Sequence, residues 1–559
     1  MSTPDWLILF ATLLGIIIYG VYKGRKQDGV NSYLLADRQM PWYVVLLGVM
    51  ATQASAITFL SAPGQAYTDG MRFVQYYFGL PIAMVVISVT FIPIFRRLNV
   101  YTAYEYLEQR FDRRTRLLTS VLFLLSRGLS TGISIYAPAI IISSIFGWNI
   151  YLANIVTGGL LLIYTFTGGA KAVAHTQKLQ FLIILASMGI AGYLVVQRMP
   201  TGVGLADALF IAGKSGKLNV ITTDFNWQDK YNIWSGIIGG FFLALSYFGT
   251  DQSQVGRYLT GKDDRESKLG LLMNGIVKIP MQFARLLRGA LLFSFYSFQS
   301  APLNFNSTAY SKLQKSDARY ADSVATAYTK LQEQKQQSVN TITILRKNQF
   351  TAEIAPEVKE LQSTLGKIDI LRDSVHNKIH QRFGGDKDDS NYIFLHFVIN
   401  NLPTGLIGLL LAVIILASWG SISAALNSLA SSSMMDIQLL GRKEPPSDKK
   451  QLWLGRMHTL LWGLFCIGVA MFAAQLGSLI EAVNVLGSLF YGTILGIFLV
   501  AFYLKRIDGT SVFIAAAATE VCVIAIYLAN VVSFLWLNVV GALLVVLFSL
   551  LIKPLLRRA

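Results

Sequence analysis

The stretch ATQASAITFLSAPGQAY, Ala51 to Tyr67, turns an apolar run polar with Gln53, Ser55, Thr58 and Ser61 and then meets Pro63 and Gly64. Unpaired polar groups in hydrocarbon cost about several kcal/mol each, so a helix that breaks at membrane depth has to line a protected cavity. Freed carbonyls and hydroxyls supply oxygen ligands without burying a full charge, which suits a small hard cation. A second flawed stretch, IWSGIIGGFFLALSYFGTDQ, carries Gly236, Gly239 and Gly240 ahead of Tyr247. Paired interrupted helices point to a solute site at the midplane; close glycine packing is the other reading of Gly239-Gly240. Arg285 and Arg288, in MQFARLLRGALLF, share one helix face. Guanidinium forks there suit a carboxylate or phosphate, with outward snorkelling as the alternative. Lys278 and Arg127 share that ambiguity. Gln53, Thr58, Gln75, Phe78, Tyr247 and Tyr491 complete the solute-contact candidates, the aromatics reading equally as core.

The elements that must hold these residues are membrane helices. Of 559 residues, 53% are hydrophobic and 14% charged, where a soluble domain carries nearer a quarter charged. Apolar stretches of about 20 residues recur along the chain. About thirteen spans are expected, near 4–22, 42–67, 73–95, 117–146, 149–167, 177–197, 232–250, 270–297, 403–436, 454–475, 479–503, 510–530 and 534–553. The first span follows Asp5 and precedes Lys23, Arg25 and Lys26, the reverse of a secretory signal. It is expected to be retained with the N-terminus outside.

A net charge of +17 suggests nucleic acid, but the charge sits in alternate connections as the positive-inside rule requires. Arg96, Arg97, Arg110, Arg113, Arg114 and Arg116 share one such loop. The expected surroundings are a lipid bilayer and a small-molecule substrate, with no nucleic acid. Cys466 and Cys522 lie in separate apolar spans with no disulfide or metal spacing. Three parts are expected: 1–297 with the first helices, a polar insert at 298–390, and 391–559 with the remaining spans. The insert spaces Leu313, Tyr320, Val324 and Leu331, then Val358, Leu361, Leu365, Ile368 and Val375, at helical intervals. It reads as a helical hairpin on the outer face, a solvated surface element in preference to a binding module.

NSYLLADRQMPWY, ASAITFLSAPGQAY, RLNVYTAYEYLEQRFD, YTFTGGAKAVAHTQKLQ, GTDQSQVGRYLTGKD and SISAALNSLASSSMMDI, in this order over about residues 1–530, resemble the sodium:solute symporter family. The resemblance implies an all-α polytopic membrane protein with an inverted five-plus-five helix repeat, at about 42–197 and 232–503, and flanking helices; the insert is outside the usual pattern. It implies sodium as the coupling ion, bound by the carbonyls of Ala56 and Phe59, the Ala417 carbonyl and the Ser421 hydroxyl. Ala417 and Ser421 are four apart and share a helix face. Two departures bear on this. Gly420 stands where the family places a second hydroxyl, and Gln177 stands where it often carries an aspartate of a second cation site, of which Ser423 keeps one side. One sodium at most is expected. Sialic acid relatives carry a carboxylate-binding arginine at the position of Ser130, about one turn after Arg127.

The leading expectation is therefore sodium-coupled symport of a small, anionic organic solute by alternating access in a bacterial inner membrane, with the C-terminus cytoplasmic. A transporter-like sensor and a proton-coupled or uncoupled carrier are the alternatives. An enzyme is not expected: the sequence shows no metal-binding His cluster, nucleophile pattern or phosphate loop.

Overall fold

The computed structural model describes residues 2–24, 39–98, 102–384, 386–440 and 446–556, and no side chains at 17, 20, 21, 23, 24, 167–179, 351 and 448. Among them regular structure is helical, the pairing of Met40 with Gly261 being an isolated bridge. The first flanking helix is α1, Thr3–Gly24. The first half then runs through α2, Trp42–Gln53, and α3, Ala56–Asp69. Gly70 takes φ 75°, a left-handed conformation that favours glycine, and opens a 3₁₀ segment, Gly70–Tyr77. Next come α4, Leu80–Val86, α5, Arg113–Phe146, and α6, Ile150–Gln197. The short α7, Leu205–Lys214, leads to the second half.

That half opens with α8, Gly240–Thr250, and α9, Gln252–Tyr258, followed by α10, Asp264–Phe298. Three polar helices intervene: α11, Ser307–Ser316, α12, Ala318–Lys347, and α13, Thr351–Phe383. The remainder comprises α14, Ser390–Asn401, α15, Leu406–Ser432, α16, Asp448–Ala470, α17, Leu479–Tyr503, α18, Gly509–Leu528, and α19, Phe534–Leu556.

Local chemistry sets these ends. Asp112 caps α5 by accepting from Thr115 N at 2.7 Å, and Asp263 caps α10 by accepting from Glu266 N at 2.8 Å. Each satisfies one of the four orphan N–H groups that begin a helix. Among the described residues, eight helical segments are long and apolar enough to cross a membrane. The most apolar stretch of α15 is 89% buried and that of α16 only 28%. So α15 is the central post, packed on α1, α5, α6 and α16, and α16 turns Trp453, Leu461 and Leu464 outward, as a lipid-facing helix does.

One expectation changes. The spans near 149–167 and 177–197 lie in one unbroken helix, α6, whose 48 residues contain no proline to end it. The polar insert is a hairpin of α12 against α13, packed through Val324, Tyr328, Ile368 and Val375. It is also seated on α7 and α10 by Val339, Ile342 and Leu361 against Ile211 and Phe298, so it is joined to the body of the protein.

Candidate functional site

The first break falls between α2 and α3. Ala54 (φ −82°, ψ 76°) and Ser55 (φ −96°, ψ 167°) leave helical geometry. The Gln53 carbonyl, released from the helix, accepts from Ser55 N and Thr58 Oγ1, both at 3.1 Å. Pro63 and Gly64 do not break the chain; both sit inside α3. Gly64 lies against the Ser390 carbonyl so closely that a Cβ would overlap it, and Gly289 of α10 does the same to the Pro63 carbonyl. Pro63 has another effect. Lacking an N–H, it offers nothing to the Phe59 carbonyl four residues earlier.

The second break lies at Asp251, where ψ is 118°, between α8 and α9. It is not at the glycines. Gly236 and Gly239 belong to a π turn that runs straight into α8. Gly236 and Gly240 admit the Gln75 and Tyr76 carbonyls, and Gly239 admits Leu535. Their chemistry is close packing.

Asp251 is the hub of a buried polar cluster. Its Oδ1 accepts from Ser253 N at 2.8 Å and Ser253 Oγ at 2.5 Å, capping α9. Its Oδ2 accepts from Tyr491 Oη at 2.9 Å and stands 4.0 Å from Arg127 Nη1. Arg127 also lies over the Tyr247 ring at 5.9 Å, and Gln254 donates to Tyr247 Oη at 2.7 Å. The cluster joins α5, α8, α9 and α17. Asp251 pairs with Arg127 across the fold.

Between the two breaks lies a cavity of about 170 Å³, more than ten times the roughly 10–15 Å³ one water needs on this measure. Gln53, Ser55 and Thr58 form one wall, Ser421 and Ile422 of α15 another, and Tyr247 and Tyr491 a third. Arg127 and Lys278 contribute cationic groups. No carboxylate of the described residues lies within ion-pair distance of Lys278, which stands 5.8 Å from the Tyr77 ring.

Ala56 and Phe59 of α3 and Ala417 and Ser421 of α15 are all buried, on helices that pack against one another. Ser421 Oγ donates to the Ser418 carbonyl at 3.0 Å, which leaves its lone pairs available. Ser418 Oγ and Ser423 Oγ are buried without a hydrogen-bond partner. Among the described residues no group of three His, Cys, Asp or Glu is placed to hold a metal ion. The Gln177 side chain lies outside the described residues.

Four candidates stand away from the cavity. Gln75 is consumed structurally, its Nε2 donating to the Tyr231 carbonyl at 2.9 Å and its Oε1 accepting from Thr222 N at 3.0 Å. Tyr76 and Tyr77 line the cavity, not Gln75 and Phe78, because Gly70–Tyr77 is a 3₁₀ segment whose tighter turn rotates each side chain away from its α-helical position. Arg285 donates to Gln282 Oε1 at 2.6 Å and lies 5.1 Å from the Phe59 ring. Arg288 donates to the Met188 carbonyl at 2.9 Å and the Ala284 carbonyl at 3.1 Å. Both arginines face a separate, mainly apolar groove between α6 and α10.

Sequence reasoning placed no solute-contact role on Tyr76, Tyr77, Gln282 or Asn484, which also line the cavity. The signal for Asp251 was present: Asp-Gln-Ser directly after an apolar helix is an N-cap pattern.

The model of the sodium:solute symporter family matches residues 33–326 and 367–518. The sodium/sialic acid symporter of Aliivibrio fischeri is 26% identical over all of this chain and 94% of its own length. The sodium-coupled monocarboxylate transporter 1 of Xenopus laevis is 26% identical over 88% of this chain and 67% of its own. A solved substrate-bound, outward-open Na⁺-coupled sialic acid symporter superposes with a TM-score of 0.75 at 22% identity, covering 99% of this chain and 98% of that one. With two interrupted helices beside a central cavity and a family match over most of its length, the chain belongs to the sodium:solute symporter family, membrane carriers that move a small solute together with sodium by alternating access.

Proposed function

We propose that the solute is a small organic anion held by its carboxylate in the central cavity. The supporting observation is the charge balance there: Arg127 and Lys278 face the cavity, and Asp251, 4.0 Å from Arg127, is the acid set against them. The N-terminus of α3 adds its partial positive charge at Ser55 to Thr58. Similar proteins named for sialic acid, monocarboxylate and iodide are each named for an acid or an anion. With Ser130 donating into its own helix, to the Ser126 carbonyl at 2.8 Å, Lys278 rather than that position takes the carboxylate.

Sodium occupies a separate place at the carbonyls of Ala56, Phe59 and Ala417 and the Ser421 hydroxyl. Bound there it joins α3 to α15 and holds the cavity ready for solute. Ser423, with Gln177, is the remnant of a second cation site. The protein sits in a bacterial inner membrane, N-terminus outside and C-terminus in the cytoplasm. The parts 1–297 and 391–559 carry transport, and 298–390 stands on the outer face.

The test is sodium-driven uptake into proteoliposomes of short carboxylates against neutral solutes of equal size. A charge-assisted hydrogen bond contributes about 1.5–3 kcal/mol, so Lys278→Met is expected to raise KM for a carboxylate by roughly ten- to a hundredfold. Equal uptake of neutral and anionic solutes, or an unchanged KM in Lys278→Met, would contradict the anionic reading.

A further inference from the structure

A second, larger cavity of about 490 Å³ lies between the hairpin and the ends of α3, α10 and α14. It is distinct from the central one, and no residue lines both. Its inner end holds two bases, Lys335 and Arg372, and the Asp389 carboxylate that pairs with Arg372. Lys335 of α12 is 3% exposed and uses one of its three protons on the Tyr296 carbonyl at 2.6 Å. No carboxylate of the described residues lies within ion-pair distance of it. Arg372 of α13 is 8% exposed; its Nη2 reaches both oxygens of Asp389 at 2.7 Å, but its Nε has no partner. Gln332, 3% exposed, leaves Oε1 equally unpartnered. The mouth is acidic. Asp69, Asp369 and Asp373 line it and are exposed, with Lys217 the one base among them.

Buried donors and an acceptor without partners cost about 1–3 kcal/mol each. A chain that keeps two of them around one cavity, beside a lysine with two unused protons, holds a site built for a polar ligand. The polarity specifies the ligand. A simple anion would satisfy Lys335 and the free Arg372 Nε–H but meet three aspartates on entry, and a simple cation would meet Lys335, whose charge no acid offsets. A molecule with a carboxylate at one end and an ammonium at the other satisfies both. Gln332 and Lys335 fall in 327–366, the stretch outside the family match, so the site belongs to this chain's hairpin.

We propose that the cavity beneath the hairpin binds a small zwitterion, its carboxylate against Lys335 and Arg372 and its ammonium toward Asp69, Asp369 and Asp373. Its place beside the outer end of α3, the helix that carries the sodium carbonyls, makes it a holding site for amino-acid-like molecules next to the transport path. Glycine, 4-aminobutyrate and 6-aminohexanoate, with butyrate and butylamine as single-charge controls, are titrated by calorimetry against the full-length protein at pH 6 in choline chloride. At least one amino acid is expected to bind tenfold or more tightly than both controls. Lys335→Gln and, at the exposed mouth, Asp369→Asn should each weaken it tenfold or more. Both variants should keep the sodium-induced rise in melting temperature, which reads the central site and shows that they fold. Three results would overturn the proposal: no binding of any amino acid, butyrate binding as tightly as the amino acids, or binding unchanged in both variants. Binding abolished by Tyr247→Trp, which fills the central cavity, and untouched by the hairpin variants would place the ligand in the transport site instead.

Discussion

The two broken helices differ in what their breaks expose. The break at Ala54-Ser55 is neutral: Gln53, Ser55 and Thr58 offer amide and hydroxyl groups, and Thr58 closes part of the gap on the Gln53 carbonyl. The break at Asp251 is charged and heavily tied, with Ser253, Tyr491 and Arg127 around one carboxylate. A neutral break can release and regain a cation without leaving a stranded charge. A charged one cannot, so its carboxylate is neutralised permanently from α5. The first break suits an ion that comes and goes, and the second suits a fixed scaffold that holds Arg127 at the cavity wall.

The sharpest way to break this contrast is Asp251→Asn, which leaves a buried guanidinium without its acid. Removing one partner of a buried pair costs about 3–5 kcal/mol, so the variant should melt far below wild type or fail to fold. Arg127→Gln in the same chain should restore the melting temperature and leave uptake abolished. Gln53→Ala, at the neutral break, should change stability by roughly 1 kcal/mol, the worth of its Nε2 bond to the Val49 carbonyl at 3.0 Å. Equal melting temperatures for the two variants would dissolve the distinction. Tyr491→Phe removes one hydrogen bond to Asp251 and should cost about 1.5–3 kcal/mol, read as a loss of stability and a raised KM together.

The glycine reading is sharpened by Gly236→Ala, which overpacks against the Gln75 carbonyl. Overpacking costs about 1–3 kcal/mol. Gly159→Ala, with nothing within 4 Å of the new methyl, should be neutral or slightly stabilising.

The smallest effect concerns the hairpin. Burial, with the Arg372 charge nearby, pushes the Lys335 ammonium down to about 7. Its folded pKa lies below its unfolded one, so above about pH 7 the unfolded chain binds the extra proton and stability rises with pH until the unfolded lysine titrates. Between pH 7 and 8 this contributes about 1 kcal/mol. Melting temperatures of wild type should therefore climb relative to Lys335→Gln over that interval, and parallel curves would contradict it.

The helical architecture was legible because hydrophobic stretches of spanning length write themselves into composition. The first break was legible because polar side chains in such a stretch have no other use. The second was displaced by about a dozen residues, since Gly236, Gly239 and Gly240 signal backbone proximity and do not say whether the neighbour is a ligand or a helix. Gln75 and Phe78 gave way to Tyr76 and Tyr77 because a 3₁₀ turn is not visible in apolar spacing. Arg285 and Arg288 do share a face, but which neighbour that face meets is a tertiary fact. The same holds for Arg127, whose partner Asp251 lies far along the chain, and for the hairpin, whose solvated pattern concealed the cavity it covers.

The central claim is that the neutral break and α15 hold sodium. Thermal stability of the purified protein in sodium, potassium, lithium and choline chlorides at equal ionic strength, repeated with Ser421→Ala, tests it most directly. A ligand that binds only the folded state stabilises by about 2.7 kcal/mol at a hundred times its Kd. Sodium alone should raise the wild-type melting temperature above choline, and Ser421→Ala should remove the rise. Equal melting in sodium and choline, or a sodium effect unchanged in Ser421→Ala, would contradict the site.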